Sequence, residues 1–215
     1  MLLSTLEFGS LLTYSPSGNS EAEKRSKTAM RNLKNDQYLS NPPILMSNII
    51  SARIKEKITN LPFADFFKNN PILVPIPNSS LMTNETLWVP KRLADALIRN
   101  GLGKTTEECL KRINPLSKAA TSLARNRPTA AQHYHSIEVQ TTLSDPIEFL
   151  LIDDIVTRGA TMIGAANKLL DAFPRASIRA FAAMRTMSLP YIFAKTIDPC
   201  KGVITLVDEE AFRRP

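Results

Sequence analysis

Two hydrophobic periods alternate along this chain, and their order predicts its elements. Residues 6–14 read as a strand. A short amphipathic helix is expected around 22–34, within a polar stretch punctuated by Pro16, Gly18, Pro42 and Pro43. Ile49, Ile50, Ile54 and Ile58 recur near helical spacing, with Arg53, Lys55, Glu56 and Lys57 between them, and predict a helix over 46–59. Ile72–Ile76 is an apolar run among prolines that ends in Asn78-Ser79-Ser80, the mark of a buried strand followed by a polar turn. Leu93, Ala94, Leu97 and Ile98 share one face of a helix over 91–100. Residues 114–136 have little periodicity and read as a long loop, a length that usually serves function. The run 147–152 is the clearest strand, and Thr161–Phe173 the clearest helix, striped by Ile163, Ala166, Leu169 and Leu170 and followed by Pro174. Ser177–Met184 and Gly202–Val207 complete the strands. Strands alternating with helices predict an α/β fold with a mainly parallel sheet.

Composition narrows the class. The chain has 215 residues, 43% hydrophobic and 22% charged, which suits one globular domain and argues against disorder. No run approaches the ~18 apolar residues of a membrane span, and Met1-Leu2-Leu3-Ser4 has no basic, then apolar, leader pattern. Two cysteines, Cys109 and Cys200, make neither a disulfide framework nor a metal knuckle, so a reducing, cytoplasmic setting is expected. The net charge is +7, and residues 91–127 hold nine basic side chains against three acidic ones. Such a basic field suits a solvated face, a phosphorylated small molecule or nucleic acid. Aromatic residues are sparse there, which weakens a base-stacking platform.

The candidate chemistry lies in 147–173. An apolar strand runs into Asp153-Asp154, then Ile155-Val156, then Thr157-Arg158-Gly159-Ala160-Thr161 and a helix. Ligands of open α/β sheets bind beyond the carboxyl ends of strands. Two ionised carboxylates there accept hydrogen bonds only, and a vicinal diol such as that of a ribose offers a matching pair of donors. The free N–H groups at the helix start, with Gly159 allowing close approach and Thr157 and Thr161 adding hydroxyls, suit a phosphate. The array fits a ligand with a ribose diol and a 5-phosphate; a plain surface turn is the simpler alternative.

The stretch Leu150–Thr161 resembles the phosphoribosyl pyrophosphate (PRPP) signature of type I phosphoribosyltransferases, and the chain is most similar to their ComF-like, "amidophosphoribosyltransferase"-labelled branch. Leu73-Val74-Pro75-Ile76-Pro77-Asn78-Ser79-Ser80 resembles the pyrophosphate loop, and Lys91–Leu97 the helix after it. Arg127-Pro128 and His133-Tyr134 fall where that family has a mobile loop; Asp198-Pro199-Cys200 and Arg213-Arg214-Pro215 also resemble that branch. The resemblance is good over roughly 70–215 and weak before it. It implies one domain, with residues 1–65 as a hood or extension and 66–215 as a PRPP-binding core, and a homodimer. It also implies transfer of a 5-phosphoribosyl group from PRPP to a nitrogen acceptor, with Mg²⁺ on the diphosphate. Asp153 and Asp154 would hold the ribose diol, and Thr157, Arg158, Gly159, Ala160 and Thr161 the 5-phosphate. Asn78, Ser79 and Ser80 would line the pyrophosphate site, and a basic loop with Lys118, Arg125 and Arg127 as candidates would close over it.

The chain departs from the family in three ways. Arg158 stands where a small residue is common, the zinc-ribbon cysteines are absent, and there is no glutamine amidohydrolase domain. The alternative class is a non-catalytic sensor of PRPP or a nucleotide, or a nucleic-acid-associated protein with a ComF-like role in DNA uptake; a bacterial defence effector is a third possibility. No helix-turn-helix is evident. His133 and His135 in a polar loop are expected at the surface, with no third ligand for a metal. Trp88 is expected to pack, and Tyr134 is a candidate to stack on a base.

Overall fold

The computed structural model describes residues 3–116, 127–140, 148–187 and 193–215. A seven-stranded sheet forms its centre. The strands, in spatial order, are β11 (Glu210–Arg214), β10 (Ile197–Val207), β1 (Thr5–Tyr14), β9 (Ser177–Thr186), β8 (Glu148–Val156), β4 (Ile72–Pro75) and β5 (Thr105–Thr106). From β1 to β5 every neighbouring pair is parallel, while β10 runs antiparallel to both β1 and β11. The expected α/β class with a mainly parallel sheet is what the chain adopts. Two short antiparallel pairs lie apart from this sheet: β2 (Tyr38–Leu39) with β3 (Ile44–Leu45), and β6 (Leu110–Arg112) with β7 (Ile137–Val139).

The apolar run in β8 exists because both faces of the sheet are covered. Phe149 and Leu151 face one cluster with Ile163, Ala166 and Leu169 of α5 (Ala160–Ala172). Leu150 and Ile152 face the other, with Leu93, Ala94 and Leu97 of α3 (Val89–Arg99) and Ile50 and Ile54 of α2 (Met46–Lys57). The amphipathic segment near the N-terminus becomes α1 (Glu21–Lys34), started by a capping box of Ser20 and Glu23.

Within residues 1–65, expected as a hood or extension, β1 lies inside the sheet, between β9 and β10. The segment 114–136 is not wholly a loop: it ends in α4 (Ala130–His135), which Thr129 and Gln132 cap reciprocally. Among the described residues no helix is long and apolar enough to cross a membrane.

The connection out of β4 passes through α3 to β5, and the connection out of β8 passes through α5 to β9. They leave in opposite directions along the sheet. The carboxyl ends of β4 and β8 therefore flank a topological switch point, the place where such sheets open a crevice for ligands.

Candidate functional site

Pairing between β4 and β8 ends at Pro75 opposite Ile152, and the Ile76 amide makes a last bond to the Ile152 carbonyl at 2.9 Å. β8 continues alone on that side, still paired with β9, so Asp153 and Asp154 emerge beside the switch point. Each carboxylate is oriented by the backbone after it: the Asp154 N–H donates to Asp153 Oδ1 at 2.8 Å, and the Ile155 N–H to Asp154 Oδ1 at 2.7 Å. The two carboxylates have different surroundings. Asp153 lines a pocket with Arg127, His133 and residues 155–162. Asp154 is not part of that lining, and its Oδ2 lies 3.7 Å from Lys34 Nζ in the last turn of α1. Burial, then the charge of Asp154, holds the Asp153 carboxyl well above the usual carboxylate range, with Lys34 pulling the other way. A cation or a hydrogen-bond donor entering the pocket would favour its ionised form.

Beyond Val156 the chain turns through Thr157-Arg158 to Gly159, whose φ of +92° lies in the left-handed region that favours glycine. α5 begins at the next residue, and no side chain among the described residues caps it. The first bond of the helix is Ile163 N–H to Gly159 C=O, 3.0 Å. The amides of Gly159, Ala160, Thr161 and Met162 therefore have no partner within the helix, and all four residues line the pocket. Its volume is about 80 Å³, the space of a few waters at ~30 Å³ each. That scale and the positive end of the helix suit a single phosphate. Arg127 also lines the pocket, and its Nε is buried with no hydrogen-bond partner among the described residues.

Arg158 lines the same pocket, but its guanidinium reaches Glu210 of β11 at 3.0 Å, so it is anchored to the sheet edge. Arg213 of β11 holds the turn from outside by donating from Nε to the Thr157 carbonyl at 2.7 Å. Burial, then Arg185, lowers the Arg213 pKa to about 10. The Thr157 hydroxyl lies 3.1 Å from that of Thr186.

His133 is not a surface residue: it is 4% exposed, because α4 lies directly on α5. Gly164 permits the approach, since a Cβ there would stand 2.7 Å from the Ala130 carbonyl oxygen and 2.8 Å from His133 Cβ. The His133 ring places Nε2 3.2 Å from Thr161 Oγ1, and its buried Nδ1 has no partner among the described residues. Burial, then Arg112, drives its pKa down to about 3. A neutral imidazole at physiological pH orients Thr161 rather than shuttling protons. The folded state binds fewer protons here than the unfolded chain. Stability is therefore present above the unfolded pKa of ~6.5 and is lost as pH falls from there toward 3. We expect about 2 kcal/mol of this loss between pH 7 and pH 5. Urea melts at the two pH values should show it in the native protein and not in His133→Gln; equal losses in both would refute it.

The expected pyrophosphate residues Asn78, Ser79 and Ser80 follow β4, the strand beside β8, and none of them lines the phosphate-sized pocket. Arg112 of β6 braces their loop. It is 7% exposed, donates from Nε to the Asn78 carbonyl at 3.0 Å and from Nη2 to the Pro77 carbonyl at 3.4 Å, and also binds the Ser136 hydroxyl. Burial lowers its pKa to about 10, and Asp153 is close enough to pull it back up. This buried cation, satisfied by carbonyls and a hydroxyl, holds the loop after β4 and lies within electrostatic reach of Asp153. Nothing in the sequence singles it out. Lys34 escapes sequence reasoning for the same cause, since its contact with Asp154 spans most of the chain.

Other candidates fall elsewhere. Lys118 and Arg125 lie outside the described residues. Tyr134 does not face the pocket: its hydroxyl binds Asp171, and Lys168 sits over its ring at 4.6 Å, both on α5. His135 is exposed, edge-on to Tyr134. Trp88 secures the exit of β4 through its Nε1–H, 2.8 Å from the Ile76 carbonyl. Cys109 is an inert buried thiol, pushed up to about 12 by burial, and Cys200 is raised likewise. The basic segment is partly engaged within the fold: Lys91 with Asp95 and Glu108, Arg92 with Asp36, and Arg112 as above. Among the described residues no three His, Cys, Asp or Glu side chains gather into a metal site.

No known family and no curated protein matches the chain. Among solved structures it is similar to TT1426 from Thermus thermophilus, at 16% identity over 69% of this chain and 85% of that one. The TM-score of 0.34 is too low to carry an argument.

Proposed function

We propose that this chain is a type I phosphoribosyltransferase that binds PRPP, transfers its 5-phosphoribosyl group to a nitrogen acceptor and releases pyrophosphate. The observation that supports this reading best is one pocket at the switch point holding both Asp153 and the uncapped start of α5. In this reading the amides of 159–162 and the hydroxyls of Thr157 and Thr161 receive the 5-phosphate. Asp153 accepts hydrogen bonds from the ribose hydroxyls, with Asp154 beside it. The diphosphate lies toward Asn78, Ser79 and Ser80, near the buried charge of Arg112. The acceptor nitrogen forms a bond to C1 as the bond from C1 to the diphosphate oxygen breaks. The electron pair leaves with pyrophosphate, and the proton left on nitrogen passes to solvent. Positioning and leaving-group charge stabilisation then supply most of the rate.

Mg²⁺ fits as an ion carried by the diphosphate, since the described residues offer Asp153 as a carboxylate oxygen but no all-protein cage. Bound there, it would neutralise charge developing on the leaving group. The ComF-like branch, the homodimer and a cytoplasmic setting belong to the same reading. The nucleic-acid alternative has less support, because several cations of the basic segment are already paired within the fold.

The test is incubation with PRPP and Mg²⁺ against a panel of bases and amines, following pyrophosphate and the nucleotide product together. We expect stoichiometric release of both with one acceptor class. Tight PRPP binding with no turnover across the panel would favour the sensor reading instead.

A further inference from the structure

β11 closes the main sheet, and its pattern is self-complementary. The turn between β10 and β11 consists of Asp208 and Glu209, with φ of +46° and +67°, a two-residue hairpin with both residues left-handed. In such a hairpin the flanking residues exchange backbone hydrogen bonds, here Val207 with Glu210. Glu210, Phe212 and Arg214 therefore bond inward to β10, while Ala211 and Arg213 turn their N–H and C=O groups outward. No strand of the described residues pairs with that outer edge.

Strand alternation puts Glu210, Phe212 and Arg214 on one face, together with Val203, Thr205 and Val207 of β10. That face is open: Phe212 is 54% exposed, Val207 50% and Val203 38%. Native proteins rarely leave an apolar patch such as Phe212 with Val203 and Val207 exposed beside an unpaired sheet edge, because it invites pairing with another chain.

We propose that two copies of this chain pair antiparallel along β11, about a two-fold axis through Phe212. The order Glu-Ala-Phe-Arg-Arg suits this one register. Phe212 meets Phe212 of the second copy as a non-hydrogen-bonded pair, the closer kind. Glu210 of each copy meets Arg214 of the other, so the two charge pairs are opposite in sign. Ala211 and Arg213 exchange the outward backbone bonds. Arg214 has no side-chain partner among the described residues, and Glu210 shares only one carboxylate oxygen, with Arg158. The contact is isologous and joins two seven-stranded sheets into one. A homodimer also belongs to the functional reading, but this interface rests on the geometry of β11 and stands without the ligand site.

Sedimentation at micromolar concentration is the first arm of the test, and we expect a dimer of the 23.9 kDa chain. Arg214→Glu sets like charges opposite each other and should weaken the dimer at least about tenfold, at unchanged circular dichroism. Phe212→Cys should give a covalent dimer on mild oxidation, since the new thiols face each other across the axis. Val207→Cys, equally exposed but off the axis, should not. A monomeric native protein would overturn the proposal. So would a dimer indifferent to Arg214→Glu, or equal cross-linking from both cysteine variants.

Discussion

Asp153→Asn is expected to weaken PRPP binding about 10–100-fold, the worth of one charge-assisted hydrogen bond, while raising the melting temperature at neutral pH. The first effect follows from its place in the pocket lining. The second follows from linkage. Its folded pKa lies above the unfolded value, chiefly through burial and then through Asp154. The folded state binds the extra proton, so stability is fullest below the unfolded pKa and is lost as pH rises through the folded one. At pH 7, above the unfolded value, this raised pKa is a cost to folding, which asparagine removes while keeping an acceptor for the Asp154 amide. Each kcal/mol recovered should appear as about 2–4 °C in a chain of this size. A site built for a ligand shows this trade of stability for function. Asp153→Asn with Asp154→Asn should abolish binding outright. Thermal melts and binding isotherms on the same samples check both halves; a variant that binds normally or melts lower contradicts this account of the carboxylate.

Gly159→Val should show the opposite pairing, with binding and stability lost together. A Cβ at 159 would stand 2.5 Å from Ile204 Cδ1 of β10, and the φ of +92° is strained for any side chain. Left-handed strain of ~1–3 kcal/mol and overpacking of ~1–3 kcal/mol give a cost of roughly 2–6 kcal/mol. The glycine thus fits α5 against β10 as well as opening the pocket to an anion. Adding Ile204→Ala should recover the packing part and leave the backbone part, measurable by urea denaturation. A Gly159→Val variant as stable as the native protein would mean that β10 and α5 do not meet as described.

The two variants bracket what was legible in the sequence. The β8–α5 unit could be read because its signals are local: a two-sided apolar run, a carboxylate pair, a glycine between two threonines and a helical stripe all lie within 147–173. The parallel α/β class followed from the alternation of elements. The place of β1 did not, because a strand's period says nothing about its neighbours, and this one inserts between β9 and β10. β11 escaped notice because Asp208-Glu209 lacks the Asn-Gly or Asp-Gly pair that usually marks a two-residue hairpin.

The residues that finish the site were hidden by distance along the chain. Arg112 acts on carbonyls 34 and 35 residues away, and His133 on a threonine 28 residues away. In the sequence each looked like one more polar residue of an irregular region. Only the packing of β6 and α4 against the sheet makes them buried and directional. Arg158 shows the converse. Its position in the motif pointed to the phosphate, and its side chain is anchored on Glu210.

The most direct test of the PRPP site is calorimetric titration of the native protein with PRPP, with and without Mg²⁺, beside Asp153→Asn. The site described here predicts saturable binding, tightened by Mg²⁺ and weakened about 10–100-fold in the variant. No heat of binding at low salt, or equal affinity in the native protein and Asp153→Asn, would contradict it.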